Sequence, residues 1–215
     1  IPLSPNSWIV KGRTDEDNVA VKVVAPKVGD KCSFEIVKVP TSHGLNPDKG
    51  TVRGGRAECP RCHTVIAGNE VKREAQNGRL GHQLYAVCIK NRGFGKKRAG
   101  WDFRVPTGKE NEAIEEVEKR LKEKLPSWES YGWIPYEEYV KGFSDRCSVY
   151  GVKKWSDLFN PRQLLTHLTY LEKFLQAKEK MFANEERGSE EWDFAAAVTT
   201  YGAILFDTCV DYNCL

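Results

Sequence analysis

The sequence contains no apolar run that approaches the ~18–20 residues needed for a membrane-spanning helix. It shows no secretory signal sequence, and its seven cysteines are too few for a disulfide scaffold and odd in number. These absences predict a chain that does not cross a membrane and resides in the reducing cytoplasm. In that compartment a close cysteine pair indicates a metal site before it indicates a disulfide.

The motifs of several enzyme classes are also missing. The sequence has no G-x-S-x-G nucleophile turn, no Walker phosphate loop, no H-E-x-x-H helix and no credible Cys/His dyad. We therefore predict no catalytic residue and no residue that binds an organic cofactor within the chain. No internal repeat at a fixed period is visible, which argues against a solenoid.

The composition is that of a globular protein, with 40% hydrophobic and 29% charged residues. The net charge of +3 conceals an asymmetry along the chain. Residues 1–107 carry 19 Lys and Arg against 10 Asp and Glu, a balance of +9, whereas residues 108–215 carry 14 against 20, a balance of −6. A basic half beside an acidic half favours a polyanion or an acidic partner at one end of the molecule.

The hydrophobic period changes between the same two halves. Strand-like alternation and turn residues predict strands at 19–24, 32–39, 82–90 and 101–105, of which the first two form a hairpin around residues 26–30. A short helix is predicted over 69–76, closed by Asn77-Gly78. Helical spacing predicts a helix over 110–124 that ends at Pro126 and a second helix from the Asn160 cap through Phe182. A third helix is predicted to begin at the Ser189 cap, with an apolar stripe formed by Phe194, Val198, Tyr201, Leu205 and Tyr212. The predicted fold is α+β, with a β-rich, zinc-ribbon-like domain at 1–107 and a helical domain containing a helical hairpin at 108–215.

The sharpest chemical feature is Cys59-Pro60-Arg61-Cys62. Zinc prefers four soft or borderline ligands in a tetrahedron, and C-x-x-C on a tight turn supplies two thiolates to one ion. We predict that Cys59 and Cys62 bind zinc; a turn that binds no metal is the alternative. Cys32 and Cys88 could complete the site, but each lies in a predicted strand, where a small buried thiol is the commoner outcome.

A second candidate is the loop from Lys90 to Gly100, which is rich in basic residues and glycine. Arg92, Lys96, Lys97 and Arg98 could follow a phosphate backbone, while Phe94 could stack on a base. We predict nucleic-acid binding by these five residues. The alternative is a solvated hairpin tip, because glycine-spaced basic residues are common on exposed loops.

Several segments together resemble one family. The run over 150–165, Y-G-V-K-K-W-S-D-L-F-N-P-R-Q-L-L, resembles the pattern Y-G-M-x-x-[WF]-x-D-L-F-T-P-R-Q-L of prokaryotic adenine-specific DNA methylases that contain a zinc ribbon. Segments 50–62 and 77–81 resemble the second cysteine knuckle and the A-G-R-x-G segment of that family. Residues 197–213 resemble its A-V-A-T-Y-L-A-x-x-x-D-R-x-x-D-Y-N helix, and residues 1–8 resemble the segment that directly follows its first knuckle.

The resemblance implies that this chain is the segment between two functional motifs. The family's cofactor loop, D-P-F-x-G-x-G, would precede it and the catalytic D-P-P-Y motif would follow it. A first cysteine pair would stand immediately before Ile1, so that Cys59 and Cys62 form half of a zinc site. In the family, S-adenosylmethionine donates a methyl group to the exocyclic amine of an adenine extruded from the base stack. Two departures are Asn160, where the family has Thr, and His63, where it usually has the Gly that eases the knuckle turn.

Three functional hypotheses follow. The first is a central insert of an adenine-specific DNA methyltransferase, inactive by itself, that positions duplex DNA through its basic half and docks its helices on the methyltransferase core. The second is a non-catalytic zinc-ribbon module that binds protein partners. The third is a free-standing enzyme of unknown chemistry, which turnover by the isolated chain would support.

Overall fold

The computed structural model describes residues 1–14, 17–25, 31–39, 44–91, 100–140 and 145–213. The chain divides into two compact units. The first comprises Ile1–Asn111 and Val149–Gly151, and the second comprises Glu112–Ser148 and Val152–Leu215. Small antiparallel sheets occupy the N-terminal half and helices dominate the C-terminal half, which confirms the predicted mixed fold at that level.

Three sheets form the first unit. The first sheet contains β1 (Trp8–Val10), β2 (Val19–Val24) and β3 (Ser33–Lys38). The second contains β4 (Val52–Arg53), β5 (Arg56–Glu58) and β6 (Val65–Ile66). The third contains β7 (Val87–Asn91) and β8 (Gly100–Arg104). All neighbouring strands are antiparallel. The predicted strand at 19–24 is confirmed, whereas residues 82–86 of the strand predicted at 82–90 do not join β7. Strands β1 and β6 were not predicted, because two or three residues are too few to show a period.

The β2–β3 pair provides the buried part of the first sheet. Val19 faces Lys38 and Val24 faces Ser33 in an unbroken register. Ala20 and Val21 are buried, so both faces of β2 are covered. The turn predicted between these strands, residues 26–30, lies outside the described residues.

One helix accompanies these sheets. α1 (Gly68–Gln76) contains the predicted segment 69–76 and buries Val71 and Ala75. It ends in a Schellman motif, because the Arg79 amide donates to the Glu74 carbonyl while Gly78, with φ of 69°, donates to the Ala75 carbonyl. The predicted glycine at the left-handed position is therefore confirmed.

The second half contains α2 (Gly108–Ser130), α3 (Asp145–Val149), a 3₁₀ helix (Trp155–Leu158), α4 (Pro161–Phe182) and α5 (Glu190–Tyr212). The prediction that Pro126 ends α2 is wrong, because the helix continues to Ser130. Proline removes one backbone donor, but the following turn carries Trp128, which is only 1% exposed. Burial of this large side chain offsets the missing hydrogen bond.

The core of the second unit is built around that tryptophan. Leu121, Trp128, Ile134 and Leu168 form one buried cluster, against which further leucines of α2 and α4 pack. The apolar faces predicted for the two helices therefore both contribute to the core.

The helical hairpin formed by α4 and α5 matches its prediction at the caps. Asn160 accepts from the Gln163 amide while the Gln163 side chain accepts from the Asn160 amide, and Ser189 accepts from the Trp192 amide. Gln163 also donates to the Asn213 carbonyl at the far end of α5, so the two helices run antiparallel.

The face of α5 that contacts α4 is not the predicted one. α5 packs through Gly202, which lies against the Phe174 ring, and through Phe206, which stacks on Tyr170 at 5.3 Å. The predicted apolar stripe is instead exposed by 40–83% and consists of Phe194, Val198, Tyr201, Leu205 and Tyr212. Two apolar faces share this helix, and spacing alone does not indicate which one a neighbour covers.

Within the described residues, no helix combines the length and apolarity needed to cross a bilayer.

Candidate zinc knuckle and nucleic-acid interface

The predicted zinc ligands lie in the tight connection between β5 and β6. Ala57 faces Ile66 and Glu58 faces Val65 in the short ladder. Beyond it, the Cys59 amide donates to the Thr64 carbonyl at 3.0 Å and the His63 amide donates back to the Cys59 carbonyl at 2.9 Å. These two hydrogen bonds fold residues 59–64 into a closed turn with both cysteines on it.

The chemistry of the Cys62 thiol suits a metal ligand. Its sulfur lies 3.2 Å from the Thr64 hydroxyl and is exposed. Hydrogen bonds from the Thr64 hydroxyl, then the Thr64 amide and then the Cys59 thiol lower the pKa of Cys62 to about 7. Because the thiolate is the form that binds metal, this turn favours the ligating state near neutral pH.

His63 occupies the position where the resembling family usually has glycine. Its φ is +57°, in the left-handed region, and within the described chain it is the one residue other than glycine with a positive φ. Its Nδ1 lies 2.8 Å from a Glu58 carboxylate oxygen, but both side chains are largely exposed, so the pair contributes little stability. The knuckle-like turn therefore forms in spite of the side chain at this position.

We expect His63→Gly to be more stable than His63→Ala by ~1 kcal/mol, because both variants lose the Glu58 contact but only glycine relieves the left-handed strain. The two free energies of unfolding, measured by urea denaturation, provide the comparison. Equal stability of the two variants would show that the turn does not hold residue 63 in the left-handed region.

No third ligand joins the cysteine pair among the residues that the structure describes. In that part of the chain, no group of three or more His, Cys, Asp or Glu side chains is placed to hold a metal ion. Cys32 is half-buried and Cys88 is exposed, so the expectation of a buried thiol is wrong for Cys88. A tetrahedral zinc site takes four ligands, of which this pair would supply two, and zinc binding by Cys59 and Cys62 stays a prediction.

The N-terminal segment lies directly beside this hairpin. The Val52 amide donates to the Ser4 carbonyl at 3.0 Å, the Ser4 amide donates to the Thr51 hydroxyl at 3.0 Å, and the Thr51 hydroxyl donates to the Pro2 carbonyl. The Thr51 carbonyl in turn accepts from the Glu58 amide at 2.8 Å, one residue before Cys59. The beginning of the chain is therefore hydrogen-bonded to the strand pair that leads into the cysteine turn.

The predicted nucleic-acid loop lies outside the described residues. Arg92, Phe94, Lys96, Lys97 and Arg98 all fall in the segment 92–99, so their assignment stays a prediction. The strands that flank this segment, β7 and β8, are described and pair over their full length.

The flanking strands add two candidates that the sequence analysis did not select. Lys90 faces Trp101 across the ladder, and its ammonium lies 5.5 Å from the centre of the indole, which is 58% exposed. An exposed aromatic ring beside a basic side chain can stack on a base while the cation contacts a phosphate. The feature of the sequence that could have identified Lys90 and Trp101 is their position beside the basic loop.

The family-like segment 150–165 forms a turn, the 3₁₀ helix and the start of α4. Asp157 accepts from the amides of Lys153 and Lys154 at 2.9 and 3.0 Å. Asn160 and Gln163 form the reciprocal cap described above, and Leu158 is buried. Asp157, Asn160 and Gln163 of this segment thus act as helix caps.

No protein-family model, curated protein or solved structure matches this chain. The assignment of a family therefore stays a proposal.

Proposed function

We propose that the chain is the central segment of an adenine-specific, S-adenosylmethionine-dependent DNA methyltransferase, in which it positions duplex DNA and supports the fold. The resemblance places the cofactor loop and the catalytic motif outside this segment. The chain by itself is accordingly predicted to be inactive.

The observation that carries the proposal is the hydrogen bonding of the N-terminal segment to the cysteine hairpin. The resemblance places a first cysteine pair immediately before Ile1. Because Pro2 and Ser4 bond to Thr51, and Thr51 bonds to Glu58, a pair at that position would approach the turn that carries Cys59 and Cys62. This is the arrangement that a ribbon with one pair from each of two segments requires.

A bound zinc ion would act as a structural cross-link in this proposal. Cys59 and Cys62 would contribute two thiolates, and the preceding pair would contribute the others. Closed sites of this kind contribute folding free energy and hold the strands that present DNA contacts.

Contact with DNA is assigned to the basic half of the chain. Residues 1–107 carry a charge balance of +9, which suits a phosphate backbone. The β7–β8 pair presents Lys90 and the exposed Trp101, and the basic segment 92–99 connects these two strands. The family-like segment 150–165 contributes capped helices, and hence structural support, to the second unit.

The exposed stripe of α5 favours the second candidate function, a non-catalytic module that binds a protein. Phe194, Tyr201, Leu205 and Tyr212 are each at least 60% exposed, and a row of large apolar side chains is typical of an interaction surface. This candidate shares the zinc hairpin but assigns no DNA contact to the basic half.

Charge reversal separates the two candidates. We expect the triple variant Lys96→Glu, Lys97→Glu, Arg98→Glu to bind short duplex DNA at least about tenfold more weakly, with a salt slope flatter by about 2–3, because each lost phosphate contact removes ~0.9 from the slope. Fluorescence anisotropy at several salt concentrations provides both values.

A matched triple variant controls for total charge. Lys173→Glu, Lys178→Glu, Lys180→Glu changes the net charge equally on exposed positions of α4 and should retain the wild-type affinity within about threefold. If the two triple variants weaken DNA binding equally, or if neither does, the basic loop is not a DNA contact and the protein-binding module is favoured.

A further inference from the structure

The second unit contains an aromatic-lined cavity. Its volume is about 730 Å³, within the ~300–1,000 Å³ range of small-molecule sites. The wall from α4 includes Leu175, Gln176 and Phe182, and the opposite wall includes Trp128 and other residues at the end of α2.

The end of α2 determines the shape of this opposite wall. The helix closes in a Schellman motif, in which the Trp133 amide donates to the Trp128 carbonyl at 3.0 Å and Gly132 adopts a φ of +68°. The tight turn brings Trp133 back against the buried cluster that contains Trp128. Tyr131 stacks on Trp133, with ring centres 4.9 Å apart and an interplanar angle of 26°.

This stacked pair is available to a ligand. Tyr131 and Trp133 both line the cavity, and Tyr131 is 64% exposed. A flat ring that enters the cavity can extend the stack or lie against the neighbouring aromatic side chains. The Gln176 side-chain oxygen already accepts from the Lys173 ammonium at 3.0 Å, so this residue offers its NH₂ group as a donor, while the Ser127 hydroxyl of the same cavity can donate or accept.

The charges around the cavity are balanced. The Glu172 carboxylate accepts from Lys124 at 3.1 Å and from the Trp128 indole at 3.3 Å, so it is already neutralised. Two further lining residues, Lys178 and Glu179, carry opposite charges. With no net negative charge, the site does not select a cation, although aromatic walls alone would accept one.

We propose that this cavity binds an uncharged, planar nitrogen heteroaromatic ring of the nucleobase class. The aromatic walls would stack on the ring, and the amide and hydroxyl would bond to its edge. The proposal goes beyond the DNA-positioning function, because it stands on the cavity of the second unit alone and involves no residue of the basic half.

Adenosine is the probe for the first test, added to the isotopically labelled 215-residue chain. We expect saturable shifts of the Trp128 and Trp133 indole N–H signals in two-dimensional NMR spectra. Tyr131→Ala should weaken this binding at least about fivefold, since stacking of a base on an aromatic ring is worth that factor or more. Tyr212→Ala removes a more exposed tyrosine (83%) at the end of α5, which does not line the cavity, and should leave the affinity unchanged.

Three outcomes would overturn the proposal. No saturable shift up to ~10 mM adenosine would show that the cavity does not take the ring, because even a millimolar site would then be filled. Equal behaviour of the Tyr131→Ala and Tyr212→Ala variants would place the binding elsewhere. Binding of tetramethylammonium but not of adenosine would identify a cation site. None of these outcomes bears on the charge-reversal test, so failure of one proposal is distinguishable from failure of the other.

Discussion

Replacing Trp128 with alanine is expected to lower the free energy of unfolding of the helical unit by ~3–5 kcal/mol. The indole is 1% exposed, lies in the buried cluster with Leu121, Ile134 and Leu168, and donates to Glu172. The substitution removes the whole ring, opens a cavity in the core and deletes the indole donor to the Glu172 carboxylate. Urea denaturation followed by far-ultraviolet circular dichroism measures the change.

Trp101→Ala is the control for this substitution. Trp101 is 58% exposed on β8, so its loss should cost less than about 1 kcal/mol. Similar losses for the two tryptophan variants would contradict the assignment of Trp128 to the centre of the core.

Gly50→Ala is expected to have the second largest effect, a loss of ~2–3 kcal/mol. A Cβ atom at position 50 would collide with the Ser4 carbonyl oxygen and lie 2.6 Å from the Asn6 amide nitrogen and the Pro5 carbonyl carbon. These are backbone atoms, so the N-terminal segment would have to move away. The hydrogen bond from the Val52 amide to Ser4 would break, and hydrogen exchange at Val52 should accelerate together with the loss of stability.

Gly81→Ala provides the matched control. A Cβ atom at position 81 would meet no other heavy atom within 4 Å, so this variant should be neutral within about 0.5 kcal/mol. If Gly50→Ala is equally neutral and Val52 keeps its protection, the N-terminal segment does not pack on the hairpin and the main support for the zinc-ribbon proposal is lost.

Local signals in the sequence predicted the elements that depend on local chemistry. The Asn160 cap, the Ser189 cap and the Asn77-Gly78 helix end each satisfy backbone groups within a few residues, so the local sequence contains the whole cause.

The incorrect predictions concern elements whose structure depends on residues that are distant in the sequence. Pro126 does not stop α2 because Trp128 is drawn into a core that includes Leu168 of another helix. The stripe of α5 was correctly identified as apolar, but α4 covers the Gly202 and Phe206 side instead. Strands of two or three residues such as β6 form only because a partner strand lies alongside.

The candidate zinc site was predictable only in part. C-x-x-C spacing predicted a turn with two thiols, and the structure adds the left-handed His63 and the hydrogen bond between the Cys62 sulfur and the Thr64 hydroxyl. The hydrogen bonding of Ser4 to Thr51 could not be read from spacing, because it joins residues 47 positions apart. The aromatic cavity likewise depends on how α4 meets the end of α2.

The proposed function is the positioning of duplex DNA by the basic half of this chain. The most direct test is a titration of the full chain with short duplex DNA at several salt concentrations, with the zinc content determined on the same folded sample. We expect saturable binding whose logarithmic affinity falls with the logarithm of salt concentration at a slope of about −3 or steeper. Absence of binding by the folded sample, or binding that does not respond to salt, would contradict it.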